Sequence, residues 1–330
     1  MDPTSCPKVD FTFPLNFLPP VFILVFVFGL IANGCGLASL WRNWRKLGNV
    51  NVFILNLGIA DILYLLMLPF LIAYYLNERR WIFGEAFCKV TRFCFNLNLY
   101  CSIGFLTCIS VYRYLAIVHP MKVMGRITVT HSVIISAIVW TLVCLQSLPD
   151  MFFPKNSENK TLQCVDTTMT EHVDVYLQYS FIWTVIGFCI PSLITVACYG
   201  HVIVLLCYKD NVDKVLKQRS LKLLIILILL FSICYIPYHV LKNLNLWSRV
   251  LSKQGICYKW FNGVYIAQRI CRGLVCLNSA LNPLVYLHVD EDISAQFRQL
   301  CQWTRQDANQ LSANIQTLSS RTFRNTQANS

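Results

Sequence analysis

Residues 221–245 read LKLLIILILLFSICYIPYHVLKNLN. From Leu223 to Val240 the stretch holds no charged residue beyond whatever charge His239 carries. About twenty apolar residues, each rising about 1.5 Å in a helix, are what a hydrocarbon core of about 30 Å requires. Pro237 removes one backbone hydrogen bond a turn before the span ends and favours a kink there. His239 and Lys242 follow at i,i+3 spacing and share one face. A bent apolar span that ends in two basic groups asks for a membrane and for an anion.

The whole chain has the same character. Its 330 residues could hold two soluble domains, but only 13 % are charged and 56 % are hydrophobic, against a charged share of about 25 % in soluble proteins. Hydropathy gives seven spans, at 17–41, 51–76, 90–112, 132–153, 177–208, 221–241 and 261–288. The expected fold is an all-α membrane protein, a seven-transmembrane helix bundle with a short amphipathic eighth helix. Residues 1–16 form an extracellular N-terminus, 17–288 the membrane domain, 289–303 the amphipathic helix and 304–330 a disordered cytoplasmic tail. In the amphipathic stretch Ile293, Phe297, Leu300 and Cys301 make an apolar stripe opposite Arg298. Cys301 is either a lipidation site or an ordinary buried thiol.

Charge orients the bundle. Arg42, Arg45 and Lys46 follow span one, Arg113, Lys122 and Arg126 follow span three, and Lys209, Lys214, Lys217, Arg219 and Lys222 lie between spans five and six. These loops belong in the cytoplasm, so the N-terminus lies outside. The same bias accounts for most of the formal net charge of +12 and removes the case for a nucleic-acid partner. The loop after span four holds the sequon Asn159-Lys160-Thr161 on the side already assigned to the exterior. Most of the sixteen cysteines lie in apolar spans, with no metal-ligand spacing. Cys6, Cys88, Cys164 and Cys257 fall on the outer side, where four thiols suggest two disulfides.

An ionisable group inside a span costs about 2.5–3.5 kcal/mol. Asp61 carries that cost in span two, with Asn33, Ser102, Asn278 and Asn282 able to face it from spans one, three and seven. The set suits a sodium-sized cation and equally a hydrogen-bonded clamp between helices. Towards the outer ends, Arg92, Lys242, Arg269 and Arg272 gather with His239. Arginines at such a mouth hold phosphate or carboxylate bidentately and lysine adds a point charge, although long side chains also snorkel to water. Phe95, Tyr100 and Tyr265 accompany them and suit a stacked base. An adenine- or uracil-type nucleotide would use both halves of the site, a dicarboxylate only the cations.

Gly29 and Asn33, Leu57 with Ala60-Asp61, Cys88, Arg113, Trp140, Pro191 with Tyr199, Pro237 and Asn282-Pro283-Leu284-Val285-Tyr286 occur in order, span by span. In that pattern the chain resembles rhodopsin-like G-protein-coupled receptors. Two positions depart from it: Tyr112 stands where an acid usually precedes the arginine, and Tyr235 where a tryptophan precedes the sixth-span proline. CKVTRFCFNLNLYCSIGFLTCISVYRY, NKTLQCVDTT, CYIPYHVLKNLNL and RGLVCLNSALNP further resemble the purinergic nucleotide receptors coupled to phospholipase C, closest to the adenine-nucleotide branch.

The resemblance implies a ligand set of Arg92, Phe95, Asn96, Tyr100, Asp166, His239, Lys242, Arg269 and Arg272. It implies the disulfides Cys88–Cys164 and Cys6–Cys257. It gives Arg113, Tyr199, Tyr235, Pro237, Pro283 and Tyr286 roles in activation and coupling. Its partners are an extracellular nucleotide, a heterotrimeric G protein of the Gq class, arrestin and receptor kinases. In the empty receptor Asp166 pairs with Arg272. Arg269 replaces the family's uncharged residue and Asn282 the branch's frequent Asp, which leaves Asp61 as the only carboxylate of a sodium site. Receptors for succinate or oxoglutarate are the nearest rival. A transporter would need internal repeats, and a membrane protease paired aspartates or H-E-x-x-H.

Overall fold

A computed structural model describes residues 12–42, 48–119, 126–154, 164, 167–208 and 229–289. Within them the chain is a helix bundle without strands. Five of the described helices are long and apolar enough to cross a membrane. The sixth span is described only from Leu229, so its most apolar part falls outside that set. Also outside it are Cys6, Asn159, Asp166, the amphipathic stretch 290–303 and the tail.

The first span, Thr12–Arg42, begins inside the segment 1–16 expected to be the extracellular N-terminus. The second is two helices, Asn49–Leu65 and Leu68–Leu76, broken where Pro69 withdraws a backbone donor. The third, Glu85–Val118, runs beyond its apolar limits at both ends, because extending a helix gains a backbone hydrogen bond per residue without the cost of a new nucleus. The fourth, Val129–Ser147, tightens into a 3₁₀ turn at Leu148–Met151. The fifth comprises Val173–Thr184 and Ile190–Tyr208, joined through a π turn at Val185–Cys189. The sixth has a second π turn, Leu230–Tyr235, immediately before the helix Ile236–Lys253. Pro237 thus sits in the first turn of the outer helix, where its missing N–H costs least. The seventh, Trp260–Val289, carries Pro283 internally.

Span one packs on spans two and seven, span six on five and seven, and span three touches two, four and five. Close approach has local causes. A Cβ on Gly29 would lie 2.8 Å from Leu65 Cδ2, so glycine lets spans one and two meet. A Cβ on Gly187, in the π turn of span five, would lie 2.5 Å from Gln146 Nε2 and 2.8 Å from Tyr100 Cε1. Large apolar side chains such as Phe28, Ile31, Leu142 and Leu193 point outward, as a chain solvated by lipid requires.

Candidate functional site

The arginines are built from the helices inward. Arg269 and Arg272 stand one turn apart on span seven, and Arg92 enters from span three. Arg92 and Arg272 are each only 1 % exposed. The Arg272 guanidinium lies 4.8 Å from the centroid of Phe95, and that of Arg269 lies 4.8 Å from Tyr265. Aromatic faces of this kind hold a guanidinium by about 0.5–2 kcal/mol. The buried phenol of Tyr75, at the outer end of span two, interacts electrostatically with Arg92, Arg269, Arg272 and Arg79. Tyr75, packed against Phe22 and Tyr74, thus lies within electrostatic reach of the cationic cluster, an addition to the expected residues. Its neighbours Tyr74 and Leu76 look equally apolar in sequence, so only packing singles it out.

Two expected roles change. Phe95 carries Arg272 over one face and makes T-shaped contacts with Tyr64 and Tyr238. It is a platform that orients an arginine. Arg92 donates through Nη2 to the Cys164 carbonyl at 2.6 Å, beside the Cys88–Cys164 disulfide. It ties the second extracellular loop to span three as well as contributing charge. Cys257 is disulfide-bonded too; the pairing expected for it involves Cys6, outside the described residues. Asn96 and Tyr100 are both buried in span three.

Lys242 and His239 face span five. Lys242 is buried and lies 6.0 Å from the Tyr176 ring centroid, and the Tyr176 hydroxyl donates to Asp150 Oδ1 at 2.6 Å. Asp150 is a fully buried carboxylate in the 3₁₀ turn that ends span four. Its place next to a proline at a predicted span end resembles that of a loop acid, which hides it in the sequence. His239 stacks on Phe188 at 4.5 Å and lies 5.8 Å from the Tyr100 ring. Its ring nitrogens are buried without a hydrogen-bond partner. Gln268, four residues before Arg272 on the same face, is also buried, with Oε1 unpartnered.

The second loop is strapped to span six. Arg249 donates through Nη1 to Thr167 Oγ1 at 2.9 Å and through Nη2 to the Thr168 carbonyl at 2.8 Å. One helical turn on, Lys253 pairs with Asp174 and donates to the Glu171 carbonyl. With the disulfide and Arg92, these contacts connect the outer ends of spans three and six through one loop.

Asp61 is fully buried. Asn98 Nδ2 donates to its Oδ1 at 2.8 Å, and Asn282 Nδ2 reaches Oδ1 at 3.1 Å and Oδ2 at 2.9 Å. Ser102 is 3.5 Å from Asn282 Nδ2. Asn33 and Asn278, expected to face Asp61, donate to other groups. Asn33 donates to the Ser279 carbonyl at 2.8 Å, and Asn278 donates to the Tyr235 hydroxyl. Each amide goes to the neighbouring helix it meets first, so span seven is tied to spans one and six as well as two. Asn98, one turn before Ser102 on the same face, joins the set without having been expected there. Among the described residues no three His, Cys, Asp or Glu side chains gather as a metal site. The oxygen-bearing set fitting a monovalent cation is Asp61, Ser102 and Asn282, whose Oδ1 is buried and unpartnered.

At the inner end, Tyr112 uses its hydroxyl to accept from Asn49 Nδ2 at 3.1 Å, and the same amide donates to the Ile127 carbonyl at 2.8 Å. The residue in place of the usual acid thus braces span two. Tyr199 is buried in span five, with its hydroxyl unpartnered, while Ser110 donates to the Leu106 carbonyl at 2.7 Å. Trp140 Nε1 donates to Asn56 Oδ1 at 2.9 Å. Pro283 is buried, and Tyr286 lies in the seventh helix with its side chain outside the described set.

Residues 32–286 match the family described as 7 transmembrane receptor (rhodopsin family). The chain is 38 % identical over 318 residues to purinoceptor 1 of Gallus gallus, covering 96 % of this chain and 87 % of that one. It is 37 % identical over 317 residues to purinoceptor 1 of Homo sapiens, covering 96 % and 84 %. It is 33 % identical over 295 residues to 2-oxoglutarate receptor 1 of Rattus norvegicus, covering 89 % and 86 %.

Proposed function

The chain belongs to the rhodopsin family of seven-transmembrane receptors and, within it, to the purinergic receptors, and from that premise we propose a cell-surface receptor for an extracellular nucleotide of the ADP or ATP type. As a family member it is a multi-pass plasma-membrane receptor that signals through a G protein, not an enzyme. The observation that carries the nucleotide reading is the gathering of buried Arg92 and Arg272 with Arg269 at the outer ends of spans three and seven, Arg272 over the face of Phe95 and Arg269 over that of Tyr265. A polyphosphate supplies several oxygens to planar guanidinium forks. Gln268 Oε1 is an acceptor suited to the exocyclic amine of adenine.

Phosphates bridging Lys242, Arg269 and Arg272 would draw the outer ends of spans six and seven together. Asp166 would pair with Arg272 in the empty receptor and compete with the ligand for that guanidinium. A coupling of about 1–3 kcal/mol between ligand and inner face is enough to shift a two-state receptor. The π turn at Leu230–Tyr235 with Pro237 is the element that would bend. Its movement would reach Arg113, Tyr199 and Tyr286, where Gq, and later arrestin and receptor kinases, engage a cytoplasmic face; the N-terminus lies outside. A sodium ion held by Asp61, Ser102 and Asn282 would favour the resting bundle.

A dicarboxylate is the second reading, favoured by the similarity to 2-oxoglutarate receptor 1. Calcium release from cells expressing the receptor, challenged in parallel with ADP, ATP, UDP, UTP, succinate and 2-oxoglutarate, separates the two. A response to nucleotides that Arg269→Gln re-ranks between di- and triphosphate is expected. A response to carboxylates alone refutes the nucleotide reading.

A further inference from the structure

A cavity of 860 Å³ lies between spans five and six, away from the arginine cluster. Its walls are almost wholly apolar, and they face outward from the bundle: Phe181 is 61 % exposed and Val240 58 %. In a membrane receptor this side meets hydrocarbon, so whatever fills the groove enters from the bilayer. The volume falls in the range of about 300–1,000 Å³ found for small-molecule sites.

The floor is polar. His239 and Asn243, one turn apart on span six, line the groove, and Thr184 lines it from span five. Asn243 Nδ2 donates to the His239 carbonyl and to Thr184 Oγ1, both at 2.9 Å. A backbone carbonyl can only accept, so the amide orientation is settled, and Asn243 Oδ1 is the atom left over. It is buried without a hydrogen-bond partner, as are both ring nitrogens of His239, a residue 1 % exposed. An acceptor and an imidazole side by side lack one group that both donates and accepts. A hydroxyl does so: its proton goes to Asn243 Oδ1 and its lone pair takes the imidazole N–H. A carboxylate has no proton for Asn243. A glycerolipid would carry ester oxygens that these apolar walls leave unsatisfied.

We propose that the groove between spans five and six is a binding site for a membrane sterol, whose single hydroxyl parts the side chains over the floor to reach Asn243 and His239. The site would be coupled to receptor state. Phe188 and Cys189, in the π turn of span five, form part of its wall. His239 separates it from Tyr100 in the bundle interior.

The test is photolabelling of the full-length receptor in phosphatidylcholine nanodiscs, using a diazirine cholesterol with a free hydroxyl. Adducts are expected in residues 177–189 or 239–247, and unlabelled cholesterol should compete for them. Cholesteryl methyl ether, which accepts but cannot donate, should compete about fivefold more weakly, the worth of one hydrogen bond. Asn243→Leu should reduce labelling by a similar factor, and Val240→Trp should block it by filling the groove. Size-exclusion profiles report folding independently, and no nucleotide is needed, so failure of the nucleotide reading leaves this result standing. Adducts elsewhere, equal competition by the methyl ether, or wild-type labelling of folded Val240→Trp would overturn the proposal.

Discussion

Arg272→Ala is the most informative single change. The guanidinium is 1 % exposed and held 4.8 Å over Phe95, so it loses little conformational entropy on meeting a phosphate. Each charge-assisted hydrogen bond contributes about 1.5–3 kcal/mol, and a fork makes two. Against that loss stands relief of repulsion from Arg92 and Arg269, both within electrostatic reach. At an effective dielectric near that of protein sites, such a repulsion is on the order of 1–2 kcal/mol per pair. The net loss is about 1.5 kcal/mol, or on the order of tenfold in nucleotide potency. Arg272→Lys keeps the charge but loses the fork and part of the stacking, so a smaller loss of about threefold is expected. Calcium-release curves, normalised to surface receptor counted with an epitope tag, measure both. Potency of Arg272→Ala within threefold of wild type at equal surface density would refute the reasoning, because a buried guanidinium cannot contact phosphate and be worth so little.

Arg249→Ala removes two hydrogen bonds between span six and the second loop; ligand dissociation should accelerate by roughly tenfold, measured by radioligand washout. Asp61→Asn should abolish any lowering of agonist affinity by sodium chloride relative to an organic-cation chloride, in competition binding on membranes. Tyr112→Asp restores an acid beside Arg113, so inositol-phosphate accumulation without ligand should fall. Gly29→Val places methyl groups against Leu65, where a Cβ alone already comes to 2.8 Å; overpacking of about 1–3 kcal/mol should lower the melting temperature of purified receptor.

Much of this molecule is written locally. Apolar length costs or gains free energy residue by residue in a bilayer, so the spans, and the need of Asp61 for polar partners, are legible without coordinates. So is the identity of the cations at the outer ends. Which amide meets Asp61 is not. Asn98 and Ser102 share a helical face, and only the separation of spans two and three puts Asn98 in contact and leaves Ser102 one bond away. The partners of His239 are equally hidden. A π turn inserts one residue and rotates everything beyond it by about 100°, and one lies directly before Pro237. The H-x-x-K spacing therefore determined that His239 and Lys242 share a face, while tertiary structure decided that this face meets Phe188 and Tyr176 on span five. Tyr75 and Asp150 belong to the same category. Their importance comes from charges brought from distant spans, and electrostatic reach is a property of space, not of sequence.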